Sequence, residues 1–204
     1  MTTAFQTAID YAESISISKM KKVGQTISRD GIVRSTSLGG QTWEFEVKIS
    51  DGLPWTTMRP LIEKMETLDR TETGVIRINK TGHSWLTGYQ GNYASTASIT
   101  ASFTSGNTIS LVSGPVITSG NKFKAGDFIQ LGTSGKVYSV AEDVPSSSSI
   151  VTLNRPVRDS TGTYSLIVGQ AVSWNVVCVE FPQWNVFARN QVSWSGPFRF
   201  AEVL

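Results

Sequence analysis

Glu44 and Glu46 stand two residues apart, which puts both carboxylates on one face of an extended chain. Paired carboxylates are the equipment of a glycoside hydrolase, one acting as acid and the other as base or nucleophile. The same two residues also suit a polar lining, and the sequence around them supplies no partners that would separate an acid from a base. His83 is the single histidine, so a Ser-His-Asp triad has one candidate base and a His-rich metal site is excluded. Its neighbours Thr81, Gly82, Ser84 and Trp85 do not form a nucleophile elbow. Cys178 is the lone cysteine, which excludes an internal disulfide framework and a cysteine zinc site. It alternates with Trp174 and Val176 and is expected to be buried and inert. The glycine fingerprints for dinucleotides and phosphates, the zinc-helix motif and the calcium loop are all missing. No catalytic residue, no metal ligand and no cofactor is therefore assigned.

Charge narrows the binding classes. The chain has 204 residues, a formal net charge of +2, 39% hydrophobic residues and 17% charged ones. Residues 95–173 hold five Lys/Arg and four Asp/Glu, and the remainder holds 13 and 12, so each part is at +1. Phosphate binding needs clustered excess cations, and neither part has them. Phe123, Phe128 and Tyr138 could stack on bases or sugars, but their strand positions equally fit core packing, and without a basic surplus core packing is the stronger reading. Residues 2–18 contain Asp10 and Glu13 and no continuous apolar run, so no membrane segment is expected there. The expectation is a chain made in a reducing cytoplasm.

The elements that would position these residues are mostly strands. Residues 41–50 alternate strictly: Trp43, Phe45, Val47 and Ile49 point one way, while Thr42, Glu44, Glu46 and Lys48 point the other. That predicts one dry face and one wet face. Residues 23–35 read as an earlier strand that pairs with it in a long hairpin. Residues 1–22 read as an N-terminal arm. Residues 56–70 read as the one helix, with Met58, Leu61, Ile62, Met65 and Leu68 on a single stripe. Thr56 or Thr57 can cap it, and Pro60 is tolerable near its start. The stripe, above all Leu61 and Met65, is expected to pack on Trp43, Phe45 and Val47.

The middle of the chain has a different character. All six Trp residues lie outside 95–173, and within that window Ser and Thr make up 25 of 79 residues. Short strands are predicted at 99–103, 108–111, 128–131, 137–140, 150–153 and 164–168, with Gly, Asn and Ser turns between them. That spacing is the pattern of a small barrel resembling an oligonucleotide/oligosaccharide-binding (OB) fold. Gly126 and Asp127 form a tight turn ahead of one hairpin, and Lys136 and Tyr138 lie on its return strand. Residues 1–94 with 174–204 then form one discontinuous domain, and 95–173 an inserted barrel.

The order of these parts resembles the distal tail proteins of long-tailed bacteriophages across nearly the whole length. The residues that carry the resemblance run from Trp43 to Ser50, through Leu61 to Met65 and Gly74 to Ile78. They continue with Lys124, Ala125, Gly126 and Asp127, then Lys136 to Tyr138, and end with Val192 to Phe200. The resemblance implies a mainly β protein with one helix, a tail-tube-like two-sheet ring domain, and an inserted OB-like barrel. It implies a virion protein of the phage tail, assembled in the host cytoplasm, that forms a homohexameric ring. Its implied partners are the tail tube protein, the tail hub or tail-tip protein, and receptor-binding proteins or side fibres held through the barrel. It implies no enzymatic activity, no specific nucleic-acid binding and no membrane contact. Thr42, Glu44, Glu46 and Lys48 would line the ring's lumen. The alternatives are a tail-tube, tail-terminator or connector subunit, a carbohydrate-binding module, and a hydrolase built on Glu44 or Glu46.

Overall fold

The computed structural model describes residues 4–20, 23–37, 41–68, 71–133, 135–187 and 189–203. The protein is mainly β, with two helices and several antiparallel sheets. In chain order the first part holds α1 (Ala4–Asp10), β1 (Ala12–Met20), β2 (Val23–Ile27), β3 (Val33–Ser37), β4 (Thr42–Ile49), β5 (Leu53–Pro54), α2 (Trp55–Thr67) and β6 (Thr73–Ile76). The middle holds β7 (Thr100–Phe103), β8 (Thr108–Ser113), β9 (Asn121–Phe123), β10 (Phe128–Leu131), β11 (Val137–Ser139), β12 (Val144–Pro145), β13 (Ile150–Thr152) and β14 (Gly162–Val168). The chain ends with β15 (Trp174–Glu180), β16 (Trp184–Phe187), β17 (Gln191–Trp194) and β18 (Phe198–Glu202). Two units result: Met1–Val75 with Asn175–Leu204, and Ile76–Trp174. The chain leaves the first unit in β6 and returns in β15, which are neighbours in one sheet. The second unit begins at Ile76, and so includes residues 76–94 as well as the Trp-free window.

The first unit is organised around β4. Its sheet runs β1-β4-β18-β15-β6. Along β4, Trp43, Phe45, Val47 and Ile49 are each at most 1% exposed, while Glu46 and Lys48 are open to solvent. Burying each such apolar side chain contributes about 1.5–3 kcal/mol. Phe198 stands opposite Val47 and Phe200 opposite Phe45, which extends the dry face onto β18. Both helices bury an apolar stripe: Phe5, Ala8 and Ile9 of α1, which lies against β4, and Met58, Leu61, Ile62 and Met65 of α2, which lies against α1. The Phe5 ring lies 5.2 Å from that of Phe200. A side chain at Gly74 would collide with Phe5, so this close approach requires glycine there.

Four expectations are corrected here. The protein has two helices rather than one. Phe5, Ala8 and Ile9 at helical spacing make α1 amphipathic, but seven residues are too short to stand out in the sequence. Of the expected N-terminal arm, residues 4–20 are instead part of the packed first unit, and 1–3 and 21–22 lie outside the described residues. β1 within them is the direct partner of β4, with Ile15 opposite Val47 and Ile17 opposite Phe45. The long hairpin of residues 23–50 does not form. β2 and β3 instead close on each other, Gln25 opposite Ser35, around a turn at Asp30 and Gly31 where Gly31 takes φ +75°. Asp-Gly is the stronger hairpin signal, and it wins locally. The α2 cap also differs: Pro54 precedes the helix and no side chain bonds its first turn. Pro60 lies inside the helix, where it removes one backbone donor. The buried stripe offsets both losses.

The second unit is a strongly curled half-barrel of six strands, in the order β11-β10-β14-β7-β8-β13. The expected short strands at 99–103, 108–111, 128–131, 137–140, 150–153 and 164–168 all lie within this sheet or one or two residues beyond its strand ends. Ile99, Ala101, Phe123, Ile129, Tyr138 and Val151 fill its interior. Ahead of it, Ser84–Thr87 forms a 3₁₀ turn, secured where the Thr87 hydroxyl donates to the Ile78 carbonyl at 2.7 Å.

Met65 tests the packing of α2. Met65→Asp would place an unpaired charge at a position only 7% exposed and should cost more than about 3 kcal/mol. Thermal unfolding measures this, and a melting temperature within a degree or two of wild type would contradict the burial.

Candidate functional site

The outer face of the first sheet is built by the same alternation that builds its core. Antiparallel register sets Ser16 opposite Glu46 and Ser18 opposite Glu44. On the other side of β4, Arg199 stands opposite Glu46 and Ala201 opposite Glu44. β15 completes one row with Glu180 opposite Arg199. The row Ser16, Glu46, Arg199, Glu180 is thus tied by Arg199 to Glu46 at 3.7 Å and to Glu180 at 3.2 Å. Lys48 pairs with Glu13 at 3.4 Å. All five charged side chains are about half exposed, so solvent screens them and each pair is worth at most about 1 kcal/mol. The small residues Ser16, Ser18 and Ala201 leave a depression of about 300 Å³ in which Glu44 stands. Glu13, Glu44, Glu46 and Glu180 outnumber Lys48 and Arg199 on this face, which makes it mildly acidic.

Thr42, Glu44, Glu46 and Lys48 therefore share one face of β4, as their spacing predicts. Sequence reasoning missed Arg199, Glu180, Ser16 and Ser18. Alternation of Phe198, Arg199 and Phe200 carried the signal for Arg199, but its register against Glu46 is a long-range fact. As acid and base, Glu44 and Glu46 lack what a hydrolase arranges. Glu46 is open to solvent and salt-bridged to Arg199, whereas a glycosidase acid is held in an apolar enclosure.

The motif of the second unit is an internal clasp. Asp127 is 1% exposed and accepts hydrogen bonds from the Gln90 and Lys124 amides, both at 2.8 Å. It therefore does more than shape a turn: it ties the segment before the barrel to the turn of residues 124–127. Asp143 braces the same turn by accepting from the Ala125 amide at 2.9 Å and from Asn121 Nδ2 at 2.8 Å. Gly126 takes φ +98°, which the turn requires of a residue without Cβ. Burial raises the Asp127 carboxyl above its ordinary value, against the backbone donors that lower it. Tyr89 lies beside this turn, and burial pushes its phenol up to about 12. On the return strand, Tyr138 is fully buried, and its hydroxyl donates to Asp159 at 2.7 Å and accepts from the Arg158 amide at 2.8 Å. Asp159 also accepts from the Lys136 amide at 3.1 Å. Burial, with the neighbouring Asp159 carboxylate, holds the Tyr138 phenol well above the usual range.

The remaining candidates separate. Phe123 and Tyr138 lie in the interior of the second unit, and Phe128 is buried on the other side of β10 with its ring 5.6 Å from that of Trp174, so none of the three is open to a stacking base or sugar. His83 opens the 3₁₀ turn, its carbonyl accepting from the Leu86 amide at 3.0 Å. Cys178 is half-buried rather than buried: it stands opposite Phe200 on the dry side of β15, at the last regular position before a bulge. Among the described residues, no group of three His, Cys, Asp or Glu could hold a metal ion. No helix among them is long and apolar enough to cross a membrane. No protein-family model matches this chain, and no curated protein matches it either.

Two substitutions test the clasp. Tyr138→Phe removes a buried hydroxyl from two partners and should cost about 1–3 kcal/mol in chemical denaturation; no loss would contradict its role. Asp127→Asn can accept only one of the two amides and should also destabilise. A carboxyl raised by burial contributes stability that is present when it is protonated and lost as pH rises through its raised value. The deficit of Asp127→Asn against wild type should therefore shrink from acid to neutral pH. A deficit that grows over the same range would contradict the assigned direction.

Proposed function

We propose that this chain is a structural protein of a bacteriophage virion, a distal tail protein whose copies form a hexameric ring joining the tail tube to the tail-tip complex. The observation that carries the reading is the first sheet: dry on the helix side, mildly acidic along β1, β4 and β18 on the other, where the exposed Val179 of β15 joins the charged groups, with two edge strands, β1 and β6. Open edges invite uncontrolled pairing unless something covers them. A closed ring in which one copy's β1 meets the next copy's β6 edge covers both at once and needs only one heterologous interface. In such a ring the face away from the helices is the channel wall, lined by Thr42, Glu44, Glu46 and Lys48.

That wall suits passing DNA. Each cation on a DNA-facing surface gains affinity by releasing counterions, so a wall rich in carboxylates keeps DNA hydrated and unbound. The second unit, taken as an OB-like barrel, is the part free to hold receptor-binding proteins or side fibres. Its presence favours the distal position over a tube, terminator or connector subunit, since a stacked tube subunit has less use for a large added module. Glu44 and Glu46 are, on this reading, lining rather than catalytic groups.

The test has two arms. Native mass and negative-stain images of the purified protein should give a six-copy ring; a monomer at every concentration would overturn the proposal. Glu44→Lys with Glu46→Lys should leave the ring intact but make it retain DNA, with binding that falls steeply as salt rises, while wild type retains none. Equal DNA retention by both would remove the wall assignment and leave the ring standing.

A further inference from the structure

The barrel of the second unit closes in an unusual way. Its sheet ends at β11 on one side and β13 on the other. These two strands meet at a single bridge, Val140 with Leu153. Around it the Ala141 amide donates to the Thr152 carbonyl at 2.8 Å, and the Asn154 amide to the Ser139 carbonyl at 2.9 Å. Beyond Asn154 the backbone pairing stops. Pro156 has no amide to offer, and residues 154–159 are not a strand.

Side chains finish the seam. Asn154 Oδ1 accepts from the Ser139 amide at 2.9 Å. Arg155 Nη2 donates to the Val137 carbonyl at 2.8 Å, and its guanidinium lies 5.1 Å from the centre of the Tyr138 ring. Asp159 accepts from the Lys136 amide. Arg155 is only 3% exposed, so this charged group is buried at the seam. Its removal would take this donor from the Val137 carbonyl. The strap is pinned at its middle, where the Val157 amide donates to the Gly106 carbonyl at 2.9 Å. The Asn154 amide and side chain, Arg155 and Asp159 together bond the Ser139 carbonyl and amide, the Val137 carbonyl and the Lys136 amide, backbone groups that another strand would otherwise pair.

We propose that residues 154–159 are an autoinhibitory strap that occupies the outer edge of β11 and so prevents that edge from adding a strand of a second copy of this chain. The strap uses side chains instead of a strand, so it covers the edge without offering a new one. It acts on the second unit alone, and it stands whether or not the chain forms a ring.

The test removes the side-chain part of the seam with Arg155→Ala and Asp159→Ala together. Amide hydrogen exchange and sedimentation are followed over a concentration series, beside wild type under the same conditions. The Lys136 amide should exchange roughly fivefold to tenfold faster, the factor that loss of one net hydrogen bond gives. The variant should also form larger species that grow with concentration and that wild type does not form. Faster exchange with an unchanged mass distribution would overturn the inhibitory role. Unchanged exchange at Lys136 would overturn the seam itself. If the double variant loses its circular-dichroism signature, Asp159→Ala alone carries both readouts at the same amide.

Discussion

Trp43, Phe45, Val47 and Ile49 put four large apolar side chains on one side of β4, and water has to be kept from all of them. The rest of the first unit follows from that need. β1 and β18 flank the strand and continue its dry face, although one comes from the N-terminal and the other from the C-terminal end of the chain. α1 and α2 bring the apolar surface that covers it. Because side chains alternate, the same backbone that buries Phe45 must present Glu44 and Glu46 to water. The polar face is thus not a separate feature but the other half of the core, and a one-residue slip in register would exchange the two.

Polar groups do comparable structural work in the second unit, but inside it. Asp127, Asp143 and Asp159 are acceptors aimed at backbone amides, and Arg155 is a donor aimed at a carbonyl. Each satisfies a backbone group where regular pairing runs out. Buried polar contacts of this kind contribute little net energy individually, yet leaving one unmade is costly, so they fix which strand ends meet. Asp127 is enclosed in the second unit, whereas Glu46 and Glu180 on the first sheet stay open and screened.

Local periodicity made β4, the α2 stripe and the short strands of the second unit legible in the sequence, because each pattern is complete within its own few residues. What escaped was long-range or irregular. The Ser-Ile alternation of β1 is modest, and nothing local says that Ile15 and Ile17 meet Val47 and Phe45. The seven residues of α1 gain their helical state from Phe5 reaching Phe200 and the space at Gly74, not from propensity. Cys178 keeps its place in the alternation of β15, and what a period-two count does not give is how far cover extends along the strand. The candidate face was half legible: Thr42, Glu44, Glu46 and Lys48 declare their shared side, while Arg199 and Glu180 join them only through strand pairing. The 154–159 strap, read from sequence, is a polar coil with a proline.

The proposed ring assigns one side of one sheet to a channel, and an experimental structure of the assembled particle tests that assignment most directly. The account predicts six copies around a pore, with Glu44 and Glu46 of every copy facing its axis and the two helices lying outside the wall. Glu44 and Glu46 on the outer surface, or an assembly without a pore, would contradict it.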